Sequence, residues 1–272
     1  MNNKVTAYYL YCLTPGGCGI QSSGIGVDGQ HPVSVRDCGE IGAVLSEVEL
    51  ADFCGESAEA RLQDLAWLGP RVCRHESVIE EFMSRGPVLP ARFATLFTSV
   101  EGLQQSVLAH REAITGFFAQ LGGQQEWAVK GLLDRNSALR GLGLSLLQAA
   151  AQEPAPAASP GARYFQEKRI QARSERDLNL RLKEFCRCAA AALGDQSGGF
   201  RERKVLVPVV AGFDAEVVLN WAFLLSPAAL VDFRARLDRF NGGEAFPGLT
   251  LTLTGPWPPY SFAPDLSAGA KT

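Results

Sequence analysis

The final strand of the chain and the segment after it constrain the fold most strongly. Residues 249–254 alternate leucine and threonine, which predicts a strand with one buried face. Residues 255–262 contain three prolines, which lack the N–H group that a strand needs to pair. We therefore predict that the strand gives way to an extended C-terminal arm, residues 255–264. The arm carries Trp257, Tyr260 and Phe262, which either pack on the chain's own domain or anchor a partner.

The composition predicts a folded chain that avoids nucleic acid and membranes. The 272 residues are 46% hydrophobic, so the chain can bury one large core or two small ones. The formal net charge of -3 gives no electrostatic attraction to nucleic acid or to anionic membranes. The sequence lacks both a run of about 18 apolar residues and the pattern of a signal peptide. We expect a cytoplasmic protein.

The seven cysteines predict free thiols in a reducing compartment. Their number is odd and their spacing is irregular, which does not favour a disulfide framework. A metal site would require Cys-x-x-Cys pairs, and the sequence has none. We expect no bound metal and no cofactor.

The first half of the chain predicts three strands, a helix, a strand and a helix. The strands fall at residues 5–12, 33–35, 42–48 and 88–97. Ser57 is predicted to cap a long helix whose apolar stripe begins at Leu62, includes His75 and ends before Gly86. Thr98 is predicted to cap the next helix, which ends at Gly122.

The second half predicts the order β-α-β-β-α-β, which is the ferredoxin-like arrangement. Strands are predicted at residues 127–133, 205–210, 217–225 and 249–254. One helix begins at residues 159–160 and ends at Gly194, and a shorter helix is opened by Ser226.

The chain is thus predicted to be an α+β protein of two domains. Composition alone would place the boundary in the Ala/Pro-rich segment, at about residues 149–160. The strand at 127–133 needs a sheet to join, so we place the boundary at 123 instead. Residues 1–123 form the N-terminal domain, a modified ferredoxin-like α/β sandwich. Residues 124–272 form the ferredoxin-like domain, with the Ala/Pro-rich segment as a surface loop and the C-terminal arm at its end.

No set of residues in the sequence forms a convincing catalytic group. Residues 24–29 read Gly-x-Gly-x-x-Gly, but a strand follows them and not the helix N-terminus that a dinucleotide site requires. His75 lies in an apolar stripe, where a histidine is more often a hydrogen-bonded core residue than a catalyst. Arg92 could bind an anion, although a pairing with a carboxylate such as Glu47 is more common for such an arginine. We therefore expect no enzymatic activity.

One predicted helix is crowded with charge. It carries Lys168, Arg169 and several further arginines, interspersed with glutamate and aspartate. This pattern favours a solvated, ion-paired face over a nucleic-acid surface.

Several blocks of sequence resemble the gas vesicle protein F/L family (GvpF/GvpL). They are residues 8–11, 39–48, 75–76, 86–97, 126–130, 161–168 and the proline-rich ending. These blocks occur in the family's order over residues 8–262, and together they are specific although each alone is weak. The match departs in the insert at residues 14–23 and in the Ala/Pro-rich segment.

The resemblance implies a function in gas vesicles, the gas-filled buoyancy compartments of prokaryotes. Family members are minor vesicle components that bind the hydrophobic major shell protein, assist nucleation or assembly, and prevent its aggregation. We expect the shell protein as partner, with other accessory proteins as further candidates. The resemblance also implies that His75-Glu76 holds its helix onto the strand at 88–97.

Three segments are predicted to contact the partner, through exposed sheet edges and through aromatic anchors. They are the opening strand, the strand at 88–97 and the C-terminal arm. The residues are Tyr8, Tyr9, Tyr11, Leu89, Arg92, Phe93, Trp257, Tyr260 and Phe262. The alternative is a small-ligand-binding or enzymatic ferredoxin-like protein with a pocket near His75 and Arg92.

Overall fold

The chain forms two compact units in a computed structural model. The model describes residues 5–16, 24–143, 160–205, 215–242 and 245–266. The first unit comprises Met1–Gly123 together with Trp257–Thr272, and the second comprises Gln124–Pro256. Each unit contains one β-sheet, so the predicted α+β class is confirmed. The C-terminal arm differs from the expectation, because its residues from Trp257 onward belong to the first unit.

The sheet of the first unit is built around its opening strand. The strands are β1 (Thr6–Pro15), β2 (Ser34–Asp37), β3 (Ile41–Glu49), β4 (Leu89–Pro90) and β5 (Leu96–Phe97). Their order is β2-β3-β1-β4, and β5 also pairs with β1. Because β1 has partners on both sides, its backbone is not an open edge, contrary to the expectation that it could accept a partner strand.

The helices of the first unit are shorter than the sequence pattern predicts. They are α1 (Glu56–Gln63), α2 (Leu65–Met83), α3 (Val100–Ala109) and α4 (Arg111–Leu121), with a short 3-10 turn at Leu50–Asp52. The long helix predicted from Ser57 is interrupted at Asp64, whose carboxylate accepts the Ala66 N–H at 2.9 Å and so begins a new helix. Leu65 is 80% exposed, so the predicted stripe is buried only from His75 onward.

The predicted strand at 88–97 is interrupted by a turn. Within this segment, the short strands β4 and β5 pair with β1, and between them Ala94 adopts a φ of 63°. The Thr95 N–H and hydroxyl both bond to the Arg92 carbonyl, at 3.1 and 2.7 Å, which closes the turn. Alternation of apolar residues gave no sign of this turn, because Ala94 is not a residue that usually marks left-handed backbone.

The caps of the next two helices also differ from the prediction. Ser99, and not Thr98, caps α3, because its Oγ accepts the Gly102 N–H at 3.0 Å. His110 separates α3 from α4, so the predicted single helix is two helices. Gly122 ends α4 in the left-handed conformation, as predicted.

In its described residues, the second unit follows the predicted order of elements with an additional helix, α5 (Arg135–Gly141). Its elements are β6 (Gln125–Asp134), α5, α6 (Pro160–Gly194), β7 (Gly199–Glu202), β8 (Ala215–Leu225), α7 (Ala229–Asn241) and β9 (Leu249–Trp257). The sheet order is β7-β8-β6-β9. The strand β7 precedes the predicted strand at 205–210, of which residues 206–210 lie outside the described residues. The Ala/Pro-rich segment before Pro160 also lies outside them.

The core of the second unit lies between its sheet and helices α6 and α7. Leu178 and Ala189 of α6 are buried, and Leu182 and Phe185 pack against them, as their spacing predicts. On the sheet side, Trp221 and Phe223 are buried two positions apart on β8, so they share one face of the strand. Ring contacts such as Phe223–Phe233, with centroids 5.0 Å apart, join the sheet to α7.

The side chain of Asn241 acts as a neighbour for the edge strand β9. Its Oδ1 accepts the Leu251 N–H at 2.7 Å, and its Nδ2 donates to the Leu251 carbonyl at 2.8 Å. The amide thereby provides the two hydrogen bonds that an adjacent strand would make at this position. This contact covers part of an edge that would otherwise be open to strand addition.

We expect Asn241→Ala to lower the free energy of unfolding by about 1–2 kcal/mol, because both backbone groups of the buried Leu251 lose their partners. Asn241→Asp is the companion variant: it keeps the acceptor for the Leu251 N–H but sets a carboxylate oxygen against the Leu251 carbonyl, so near neutral pH it should be destabilised as well. Urea denaturation followed by circular dichroism measures both. Equal stability of the Asn241→Ala variant and the parent would show that water replaces the amide.

Candidate functional site

His75 is the centre of an aromatic cluster in the first unit. It lies on the buried face of α2 and is 1% exposed. Its ring centroid lies 5.6 Å from that of Tyr9, 5.8 Å from that of Tyr11 and 5.7 Å from that of Phe93. The central strand β1 and the turn before β5 therefore supply the surroundings of this histidine.

A continuous chain of hydrogen bonds runs through His75 to the C-terminal arm. The Tyr9 hydroxyl lies 3.0 Å from His75 Nδ1, and the Tyr260 hydroxyl lies 3.2 Å from His75 Nε2. Tyr260 donates its proton to Glu76 Oε1 at 2.9 Å. At the other end, the Ala94 N–H donates to the Tyr9 hydroxyl oxygen at 3.0 Å.

The bond between Tyr260 and Glu76, at one end of this chain, determines which atom donates and which accepts in the other bonds. The Tyr260 proton is committed to Glu76, so the Tyr260 oxygen must accept from His75, which places a proton on Nε2. A neutral imidazole then has an unprotonated Nδ1, which accepts from the Tyr9 hydroxyl. Every group in the chain has a partner of the correct kind, and both nitrogens of His75 are in use.

Burial explains the protonation states in this cluster. Burial lowers the pKa of His75 to about 4, although a hydrogen bond with the Ala91 backbone acts in the opposite direction. Burial raises the pKa of Glu76, while the hydrogen bond from Tyr260 opposes that shift. Burial also raises the pKa of the Tyr9 and Tyr260 hydroxyls well above their usual range. Near neutral pH the histidine is therefore uncharged and both tyrosines stay protonated.

The Gly-x-Gly-x-x-Gly segment packs beside this cluster and does not form a phosphate loop. Tyr11 accepts the Val27 N–H at 2.6 Å and bonds Ser46 Oγ at 2.8 Å. A Cβ at Gly26 would lie 2.4 Å from Ser46 Oγ, so glycine is needed for close packing there. The segment leads to β2 and not to a helix N-terminus, as the sequence indicates.

The structure buries several of the predicted contact residues. Tyr9, Tyr11, Leu89 and Phe262 are buried. Tyr8, Phe93 and Tyr260 are half-buried, whereas Arg92 and Trp257 are exposed. Partner contact at these positions stays a prediction, and exposure favours Tyr8, Arg92, Phe93 and Trp257 as the side chains that could make it.

Sequence reasoning found the members of this cluster but not their connections. His75 was assigned as a core residue, and Tyr260 as a residue of the arm. Nothing in the sequence links two positions 185 residues apart. The contact between His75 and the 88–97 segment that the resemblance implies exists as the ring contact with Phe93 and as the hydrogen bond with the Ala91 backbone. Among the described residues, Arg92 and Glu47 do not form the suggested ion pair.

The other features of the described chain that could form a site are its potential metal ligands, its cysteines and its helices. Within the described ranges, no group of three His, Cys, Asp or Glu side chains could hold a metal ion. Cys12, Cys38, Cys54, Cys73, Cys186 and Cys188 have free thiols, and Cys18 lies outside the described residues. None of the helices in the described part of the chain combines the length and apolar character needed to cross a membrane.

Comparison with known proteins assigns this two-unit α+β chain to a family. The family model described as "Gas vesicle synthesis protein GvpL/GvpF" matches residues 7–264. The chain therefore belongs to the GvpL/GvpF family of gas vesicle synthesis proteins, and the resemblance found in the sequence is confirmed.

Individual relatives agree with this assignment. Gas vesicle protein L from Streptomyces sp. (strain CB03234) is 30% identical over 94% of this chain and 92% of its own length. Gas vesicle protein L1 from Halobacterium salinarum (strain ATCC 700922 / JCM 11081 / NRC-1) is 24% identical over 95% of this chain and 90% of its own length.

Two crystal structures share the fold. GvpF from Anabaena sp. PCC7120 superposes with a TM-score of 0.70 at 20% identity, covering 95% of this chain and 98% of that one. GvpF from Microcystis aeruginosa superposes with a TM-score of 0.62 at 18% identity, covering 95% of this chain and 99% of that one.

We expect Tyr260→Phe to destabilise the first unit by about 1–3 kcal/mol. The variant keeps the ring but leaves the His75 Nε2–H without an acceptor and Glu76 without its donor. Glu76→Gln is the companion variant, because its amide oxygen still accepts from Tyr260 and it should lose less. Urea denaturation measures both, and equal stability of Tyr260→Phe and the parent would contradict the hydrogen-bond chain.

The stability of the protein should also depend on pH through His75. Its pKa is about 4 in the folded protein against 6.5 ordinarily, so below pH 6.5 the unfolded chain gains a proton that the folded chain does not. The stabilising contribution is complete above pH 6.5 and decreases as the pH falls towards 4. From pH 7 to pH 5, this group should lower the free energy of unfolding by about 2 kcal/mol. Urea denaturation of His75→Gln should lack this component, and an equal decrease in the variant would assign the effect to other groups.

Proposed function

We propose that this protein is a non-enzymatic assembly factor that binds the major gas vesicle shell protein and assists its nucleation. The observation that carries the proposal is the family match over residues 7–264. A shell subunit must expose apolar surface in order to polymerise, so it needs cover before it is incorporated. A folded adaptor that holds the subunit would provide this cover and prevent its aggregation. Its place of action would be the growing gas vesicle in the cytoplasm, and other accessory proteins are further candidate partners.

The state of His75 supports an adaptor over the alternative, an enzyme or ligand sensor with a pocket near His75 and Arg92. A general base needs a free nitrogen within reach of a substrate. Both nitrogens of His75 are engaged by tyrosine hydroxyls, and the residue is 1% exposed. Burial lowers its pKa to about 4, which leaves it uncharged and poorly suited to accept a proton near neutral pH. Arg92 lies on the exposed surface of the turn before β5.

The structure favours side-chain contact with the partner over strand addition. β1 is central in its sheet, and the edge formed by β4 and β5 consists of two-residue strands separated by a turn. Short and interrupted edges are a common means of preventing strand addition. Exposed aromatic side chains such as Trp257, which is 44% exposed, are therefore better placed to contact an apolar subunit.

Co-expression with the major shell protein, followed by affinity capture and a solubility assay, tests this function. We expect the wild-type chain to retain the shell protein in the soluble fraction, and Trp257→Ala to retain several-fold less. Val231→Ala, at a position that is 72% exposed in the second unit, is the matched control and should behave as wild type.

One outcome would contradict the proposed function, and another would contradict only the role of Trp257. If a folded wild-type chain neither captured nor solubilised the shell protein, direct binding would be wrong. If Trp257→Ala and Val231→Ala both retained full capture, Trp257 would be removed from the contact set while the proposed function stood.

A further inference from the structure

The first turns of α6 carry an exposed aromatic pair. Tyr164 is 56% exposed and Phe165 is 69% exposed, and their ring centroids lie 5.9 Å apart. Among the α6 residues whose burial the structure describes, the first buried positions are Ser174 and Leu178. Large aromatic side chains that contact each other and remain in water are uncommon on a protein surface unless a partner covers them.

Basic side chains continue this surface along the helix. Lys168 and Arg169 are exposed one turn beyond Tyr164 and Phe165, and Ala172 follows a turn after Lys168. The Lys168 Nζ lies 5.9 Å from the centroid of the Tyr164 ring. We call these five residues, Tyr164, Phe165, Lys168, Arg169 and Ala172, the aromatic–basic face. Ile170, Ser174 and Leu178 are more buried and follow the opposite side of the helix towards the core.

The ion pairs predicted for this helix lie outside the aromatic–basic face. Arg187 pairs with Glu184 at 2.7 Å, and Glu175 pairs with Arg135 of α5 at 3.2 Å. In the part of the chain that the structure describes, neither Lys168 nor Arg169 is ion-paired with a carboxylate. Residues 164–173 carry three cationic side chains and one carboxylate, in a chain whose net charge is -3. The aromatic–basic face is thus locally positive in a protein whose net charge is negative.

We propose that the aromatic–basic face binds the shell protein through a segment whose apolar side chains are flanked by carboxylates. Aromatic residues and arginine are the side chains that most often dominate binding energy at protein interfaces. The unpaired Lys168 and Arg169 select a partner of opposite charge and steer its approach. This inference rests on the proposed function and names the surface that performs it.

A protein partner fits this face better than nucleic acid. Phosphate backbones require many cationic contacts, whereas this face has only Lys168 and Arg169, directly preceded by Glu167. Stacking of bases usually uses aromatic side chains spread over a sheet or groove, whereas this face holds two rings on adjacent helical positions.

The test uses the same co-expression and capture with the shell protein. The first variant, Tyr164→Ala with Phe165→Ala, should reduce capture by about tenfold or more. The second variant, Lys168→Glu with Arg169→Glu, should reduce it comparably at low salt, and the difference from wild type should shrink as salt rises. Leu180→Ala with Arg181→Glu is the matched control, because Leu180 is 61% exposed on the same helix outside the face. Circular dichroism confirms that all variants remain folded.

The possible results separate the two proposals. Full capture by both face variants would overturn this inference and leave the proposed function intact. Loss of capture in the control as well would show a general effect of altering α6 and would also overturn it. If the folded wild type captured no shell protein, both proposals would be wrong. Binding of a labelled single-stranded DNA oligonucleotide by wild type but not by the face variants, with nuclease-sensitive capture, would reassign the face to nucleic acid.

Discussion

The hydrogen bond from Tyr260 to Glu76 fixes the donor and acceptor roles in the hydrogen-bond chain at the centre of the first unit. It commits the Tyr260 proton, which fixes the His75 tautomer and in turn requires Tyr9 to donate to Nδ1. The central strand β1, the helix α2, the turn at Ala94 and the C-terminal arm are thereby joined in one directed chain. Since an unpartnered buried polar group costs about 1–3 kcal/mol, each member of the chain depends on the others.

Much of this architecture could be predicted from local patterns, and the rest could not for physical reasons. Alternation predicts β8 and β9, the tyrosine-rich run predicts β1, and glycine predicts the end of α4, because these signals are local in sequence. The interruption at Ala94 was missed, since its left-handed φ of 63° is imposed by the Tyr9 hydroxyl and by pairing with β1. Tyr260 was assigned to the arm correctly, but its partners lie far away in the chain and no periodicity encodes them.

For function, too, the sequence and the structure provide different information. Family membership defines the field of action, the synthesis of gas vesicles. The geometry then separates residues whose side chains are buried inside the protein from residues whose side chains are exposed at its surface. Tyr9, Tyr11, Leu89 and Phe262 belong to the first group. The exposed aromatic side chains, on the arm at Trp257 and on α6 at Phe165, are left as surfaces on which an apolar subunit could be held.

The position of the C-terminal arm has a consequence for synthesis on the ribosome. Residues 1–123 of the first unit are synthesised before the second unit, whereas Tyr260 and Phe262, which complete the first unit, are synthesised after it. Until Tyr260 emerges, the His75 Nε2–H and the Glu76 carboxylate lack the hydroxyl that joins them. A chain that terminates within the second unit therefore leaves the first unit unfinished. The first unit closes only after the second has been made, so an intact first unit reports that synthesis has passed through both.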